Sequence, residues 1–259
     1  MERTFEMRMV GQLVALALCA IMVIPGTAIA QRETWTQRAT ITLTFDDAYA
    51  NTYSVAFPIL KQHNIRATAF VVTSYIGILP DRLTLENLMV MQSAGWEIGS
   101  HSVTHRRLTQ LTTDQIIYEM KSSRDWLLSH HLYVRSFAFP YGVENPSIRQ
   151  LSMQFYDVSR STVSFYVAYN SIPADRCILG VGAPADPANT YSYIDNAIAS
   201  KSWLVLYLHG VSPNGTIIDN GQSLHEVVDY IAEKINLGQL DVATFINGYK
   251  RLAGPWAIR

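Results

Sequence analysis

Short apolar runs and helical stretches alternate along this chain from residue 40 to residue 245. Thr40 to Phe45 sets Ile41, Leu43 and Phe45 on one side, the period of a strand. Tyr53 to His63 reads as a helix and Ala67 to Thr73 as the next strand. Thr84 opens a helix to about Ala94, with Gly95 as its stop signal. Trp96 to Gly99 is a short strand. Thr113 to Ser129 is an amphipathic helix, N-capped by Thr112 or Thr113. Ser136 to Phe139 is a strand ending at Pro140-Tyr141-Gly142, and Pro146 to Gln154 is helical. Asp157 to Ser159 and Cys177 to Val181 are candidate strands, and Tyr191 to Ser200 is a helix. Trp203 to Leu208 is almost wholly apolar, as expected of a strand buried on both faces. Ser223 to Asn236 is helical, and Asp241 to Phe245 is the last strand. Such alternation predicts an α/β fold with a parallel sheet. At least six strand–helix units in about 220 residues predict a barrel, complete or incomplete.

The N-terminus has another pattern. Arg3 and Arg8 precede an apolar run from Leu13 to Ile24, Pro25-Gly26 breaks it, and Ala28-Ile29-Ala30 is a small-x-small cleavage signature. Residues 1–30 are expected to be a signal peptide, and the protein secreted or held at the cell surface. The run is shorter than the roughly 20 apolar residues of a transmembrane helix. An uncleaved N-terminal membrane anchor is the alternative. No repeat or linker interrupts the rest, so residues 31–259 are expected to form one domain. Cleavage after Ala30 leaves one cysteine, Cys177, which has no internal disulfide partner and is expected to be a buried small hydrophobe. The formal net charge of −1 supplies no basic surface for nucleic acid.

The chemically loaded residues come just after strands: Asp46-Asp47, His101 with His105, Tyr141 and His209. In barrels the C-terminal strand ends carry the active site, so four distant segments would converge there. One carboxylate and two imidazoles can hold a divalent metal with a position left open. The second carboxylate is then free to take a proton, which points to hydrolysis. Each motif alone has a plainer reading. Asp46-Asp47 can be an N-cap pair for the helix starting near Tyr49. The two histidines can be solvated or cap-bonded, His209 a core histidine, and Phe139-Pro140-Tyr141-Gly142 simply a turn. A histidine with a pKa near 6.5 suits a general acid, and the Tyr141 N–H can donate to an oxyanion.

Together these segments resemble the polysaccharide deacetylases of carbohydrate esterase family 4, the NodB-homology domain. The matching runs are Thr44-Phe45-Asp46-Asp47, His101-Ser102-Val103-Thr104-His105, Pro140-Tyr141-Gly142 and Leu206-Tyr207-Leu208-His209, in the family's order. The resemblance spans roughly Thr40 to Tyr249. It implies a distorted (β/α)7 barrel with a divalent metal on Asp47, His101 and His105, usually zinc, with cobalt or nickel as alternatives. It implies Asp46 as general base for the attacking water, the Tyr141 N–H as oxyanion donor, and His209 as the acid that protonates the leaving amine. The substrate class would be an acetylated polysaccharide or oligosaccharide carrying N-acetyl or O-acetyl groups. Two features depart from the family pattern. Many members have an Arg in the third motif that orients the base, where this chain has Phe137-Ala138-Phe139-Pro140; Arg160 is a candidate substitute. The fourth motif, an Asp with a nearby Trp that tethers the acid His, has no match. Asp175 and Asp186 lie near the expected place but lack the Trp. Besides a deacetylase, the motifs leave open a non-catalytic carbohydrate-binding barrel and an amidohydrolase acting on a small amide.

Overall fold

A computed structural model describes residues 38–182 and 187–254. The predicted signal segment, residues 1–30, and Asp186 lie outside the described residues. Among the described residues no helix is long and apolar enough to cross a membrane.

Among the described residues there are eight strands: β1 (Ala39–Phe45), β2 (Thr68–Val71), β3 (Glu97–Ser100), β4 (Ser136–Ala138), β5 (Val158–Val163), β6 (Cys177–Gly182), β7 (Trp203–Leu208) and β8 (Leu240–Val242). All named pairings are parallel. β1 to β7 succeed one another around the sheet, and β7 and β2 both pair with β1, which closes a seven-stranded barrel. β1 pairs along its whole length with β7, from Thr40↔Trp203 to Phe45↔Leu208. Its other edge is shared. β2 takes the C-terminal part, Thr44↔Thr68 and Phe45↔Ala69, and β8 takes the N-terminal part, Ala39↔Leu240 to Ile41↔Val242. This splayed seam is the distortion that the resemblance implied.

The helices are α1 (Phe57–Gln62), α2 (Leu85–Ser93), α3 (Thr113–Ser129), α4 (Pro146–Ser152), α5 (Pro187–Ser200), α6 (Leu224–Asn236) and α7 (Phe245–Ala253). A π-helical turn at Thr52–Ala56 leads into α1. Capping starts α2 and α3 where the sequence places them. Thr84 and Thr112 each accept from the N–H three residues on, and Asn87 and Gln115 return a bond to the cap N–H. Cys177 is buried, and burial pushes its thiol up to about 11.

The last element corrects an expectation. The predicted strand Asp241–Phe245 ends at Val242, and Phe245 begins α7. Alternation through Asp241-Val242-Ala243-Thr244-Phe245 extends the strand on paper, while Gly248 weakens a helical reading from Phe245 onward. Packing overrides that propensity. A Cβ on Gly248 would lie 2.4 Å from the Trp203 indole, so the glycine lets α7 seat on the buried end of β7. The N-terminus of α7 is tied into the base of the barrel. Phe245 N–H donates to Thr68 Oγ1 at 2.8 Å, and Ile246 N–H donates to Glu97 Oε2 at 2.7 Å. Thr68 and Ser136 hydroxyls also donate to the Glu97 carboxylate. Burial pushes this carboxyl above the ordinary value, while donors from Ser136, Ile246, Thr68 and Thr244 pull it back.

Glu97 therefore joins β2, β3, β4 and α7. Glu97→Ala strands those donors in a closed site and is expected to lower unfolding free energy by about 3 kcal/mol. Urea unfolding of the purified protein checks this. A loss below about 1 kcal/mol would show that the cluster does not anchor α7.

Candidate active site

The site is assembled at the C-terminal ends of the strands. The Asp46 N–H continues the β1–β7 ladder, donating to Leu208 O at 2.8 Å. Asp47 and Ala48 then adopt left-handed backbone, with φ of 66° and 58°. This reversal sends the two carboxylates to one pocket by different routes. The capping alternative fails, since the turn beginning at Thr52 has Asn51 as its N-cap and no side-chain cap bond.

His101 and His105 sit on a tight loop after β3, with Ser102 and His105 at φ 70° and 58°. Ring geometry settles the tautomer of His101. Its Nδ1 lies 2.8 Å from the Ala138 carbonyl, which can only accept, so Nδ1 carries the proton and Nε2 keeps an unprotonated lone pair. Burial pushes His101 down to about 4, against the pull of Asp46, and burial also lowers His105. Both rings are therefore neutral at pH 7. The His101 and His105 Nε2 atoms are 3.2 Å apart, and Asp47 Oδ1 lies 3.5 Å and 3.2 Å from them. That oxygen is buried without a hydrogen-bond partner.

This donor set fits a divalent cation. Bonds of about 2.0–2.2 Å place tetrahedral ligand atoms roughly 3.3–3.5 Å apart, close to the spacing of these three atoms. Two imidazoles and a carboxylate are borderline-hard ligands of the kind that zinc takes. Among the described residues, Asp47, His101 and His105 are the group arranged to hold a metal.

Asp46 has a different environment. It is 3% exposed, and Arg160, on β5 and fully buried, donates from Nη2 to its Oδ2. Burial opposes ionisation of Asp46, but Arg160, then His101 and His209, outweigh it and hold the carboxyl below its ordinary value. Arg160, the candidate substitute for the absent third-motif arginine, thus contacts Asp46 directly. His209, after β7, is half-buried. Its Nδ1 is 2.8 Å from Asp219 Oδ1, and its backbone N–H donates to Asp219 Oδ2 at 2.7 Å. The Asp219 bond raises this imidazole to about 9, so it is cationic at neutral pH. Tyr141 lies in the turn after β4 at φ 60°, with its ring 4.5 Å from that of His105.

Residues 34–155 match the family model for polysaccharide deacetylase. Over these residues the chain is similar to that family. The peptidoglycan-N-acetylmuramic acid deacetylase PdaA of Bacillus subtilis is 36% identical over 88 residues, 34% of this chain and 32% of that protein. A solved Streptococcus pyogenes deacetylase, PplD in complex with acetate, is 28% identical with TM-score 0.50, covering 54% of this chain and 62% of that one. The Xyl-CE4 domain of a multidomain xylanase from the hindgut metagenome of Trinervitermes trinervoides has TM-score 0.56 at 19% identity, over 83% of this chain and 91% of that one. It shares the fold. The chain spans about a third of the length of curated relatives such as PdaA.

Two residues at the site escaped the sequence reading. Asp219 tethers His209. Asp175, one of the acids considered, instead accepts from Arg149 and from the Cys177 N–H. Pro213-Asn214-Gly215 signals a loop that folds back, but nothing local marks which acid returns to the histidine. Glu119 on α3 accepts from the N–H groups of Val103 and Thr104, each at 2.9 Å, and from the Thr104 hydroxyl. A signal for it did exist, since Glu119 lies on the buried stripe of α3 with Ile116, Met120, Ser123 and Leu127.

Glu119 fixes the loop between the two histidines. Glu119→Ala is expected to weaken divalent-cation binding about 10–100-fold, the usual effect of losing a group that orients ligands. Competition against a chromophoric chelator reads this out. Unchanged affinity would remove the anchoring role.

Proposed function

We propose that the protein is a secreted, metal-dependent deacetylase that hydrolyses N-acetyl groups of a polysaccharide, or O-acetyl groups, and releases acetate. Residues 1–30 would be its signal peptide and residues 31–259 its deacetylase domain. The observation that carries this reading is the different state of two neighbouring carboxylates: Asp47 faces two neutral imidazoles, while Asp46 faces a buried arginine. Asp47 Oδ1 with the Nε2 atoms of His101 and His105 would hold the cation, zinc being the best match to the donors. When bound, it would supply Lewis acidity toward a carbonyl oxygen and toward water.

The chain's own groups complete the hydrolysis. Asp46 Oδ2 is taken by Arg160, which leaves the unpartnered Oδ1 to accept the proton of the attacking water. The new bond joins water oxygen to the acetyl carbon. The Tyr141 N–H donates to the carbonyl oxygen as it gains charge. His209, bonded through Nδ1 to Asp219, carries its second proton on Nε2. It passes that proton to the sugar nitrogen as the carbon–nitrogen bond breaks, giving acetate and a free amine. The non-catalytic reading rested on a base without its arginine, and Arg160 removes that ground.

Acetate release from N-acetylglucosamine oligomers, peptidoglycan and acetylated xylan tests this. A chelator is expected to abolish release and added zinc to restore it. Undiminished activity in metal-free Asp47→Ala protein would overturn the reading. The pH profile tests the acid. His209 must be protonated to act, so activity falls as pH rises through its pKa, near 9 or below once a cation is bound. In Asp219→Asn that falling limb is expected to move toward the ordinary imidazole value of about 6.5. An unmoved limb would assign the acid elsewhere.

A further inference from the structure

A cavity of about 370 Å³ opens beside the metal-site histidine, lined among others by Tyr75, His105, Arg106, Arg107, Gln110 and Tyr141. No carboxylate is among the residues that line it. Arg106 and Arg107 are exposed and face no acidic partner among the described residues. By contrast Arg82, Arg149, Arg160 and Arg251 each pair with a carboxylate. Arg106 also borders a second groove with Asp114 and Glu119, yet bonds neither, and Glu119 spends its oxygens on the histidine loop.

Arg107 is already placed. Its guanidinium lies 4.4 Å from the Tyr141 ring centroid, and that ring in turn packs 4.5 Å from His105. A guanidinium held on an aromatic face loses less freedom when it binds. The stack sets this charge two ring spacings from a proposed metal ligand. With a net charge of −1 for the whole chain, the positive character here is local. Two adjacent planar forks suit paired anionic oxygens, as in a carboxylate or a phosphate ester.

We propose that this cavity receives an anionic substituent of the glycan through Arg106 and Arg107, so that the substrate is an acidic acetylated polysaccharide. The inference rests on the deacetylase reading above.

The test uses soluble oligosaccharides with one N-acetylated backbone and three substituents: a free carboxylate, the same group capped as its amide, and a phosphate monoester. For each, kcat/KM for acetate release and Kd by calorimetry are measured with the zinc-loaded full chain. The wild type is expected to favour at least one anionic form over the capped form by about tenfold at low salt, less at high ionic strength. The two anionic arms distinguish carboxylate from phosphate. In R106Q/R107Q the ratio of anionic to capped is expected to fall to about one, and R106K/R107K is expected to retain part of it. Melting curves confirm that both variants fold. Equal handling of anionic and capped forms by the wild type, or a preference that survives R106Q/R107Q, would overturn the proposal. If no oligosaccharide releases acetate, the deacetylase reading fails, and the Kd ratios still decide whether the cavity selects anions.

Discussion

The ion pair between Arg160 and Asp46 organises the interior of this barrel. It reaches from β5 to the end of β1, with both groups out of water. Removing two charges from water costs several kcal/mol per ion, and breaking such a pair by losing one partner costs about 3–5 kcal/mol. The surroundings are shaped to tolerate it. The guanidinium lies 5.3 Å from the ring centroids of both Phe70 and Tyr207. On the neighbouring strand, a Cβ at Gly180 would come within 2.9 Å of the Arg160 stem. Arg160 Nε and Nη1 have no hydrogen-bond partner among the described residues, so its strongest attachment is to Asp46. Asp46 is therefore held ionised by the fold itself.

The two ends of the barrel solve opposite problems. At the base, buried polar groups are closed off: Glu97 gathers donors from β2, β4 and the start of α7, and the splayed seam of β1 is filled by β8. At the mouth, polar groups are left open and the backbone is forced. Asp47, Ser102, His105 and Tyr141 all have positive φ without being glycine. Each such residue costs of order 1–3 kcal/mol unless the surroundings over-determine it. Here they do. Glu119 holds the N–H groups between the histidines, Ser102 Oγ accepts from the His105 N–H, and Gly142 N–H closes the Tyr141 turn on Phe139.

Legibility in the sequence depends on how locally each feature is encoded. Alternation in Thr40–Phe45 and the apolar run Trp203–Leu208 mark strands because burial acts on consecutive side chains. Thr84 and Thr112 mark helix starts because a cap bonds within three residues. The motif residues were legible because each comes just after a strand end, where a barrel gathers its chemistry. Arg160 was visible as a charge just after a predicted short strand, though only the closed barrel shows that it meets Asp46, 114 positions away. Asp219 and α7 were illegible for the same reason. One depends on how a loop returns, the other on a glycine whose value lies in the Trp203 ring above it.

The adjacency of Asp46 and Asp47 then has a physical explanation. Two neighbouring carboxylates in one pocket would normally repel, and one would take up a proton. Here the two have different surroundings. Arg160 neutralises Asp46 from inside the barrel, while Asp47 turns outward on left-handed backbone toward two neutral imidazoles. Those imidazoles carry no charge to offer, because burial depresses both. Asp47 Oδ1 thus has no hydrogen-bond partner and faces two neutral nitrogens, an arrangement that suits a metal cation. The same separation gives Asp46 a counter-charge that comes from the protein itself.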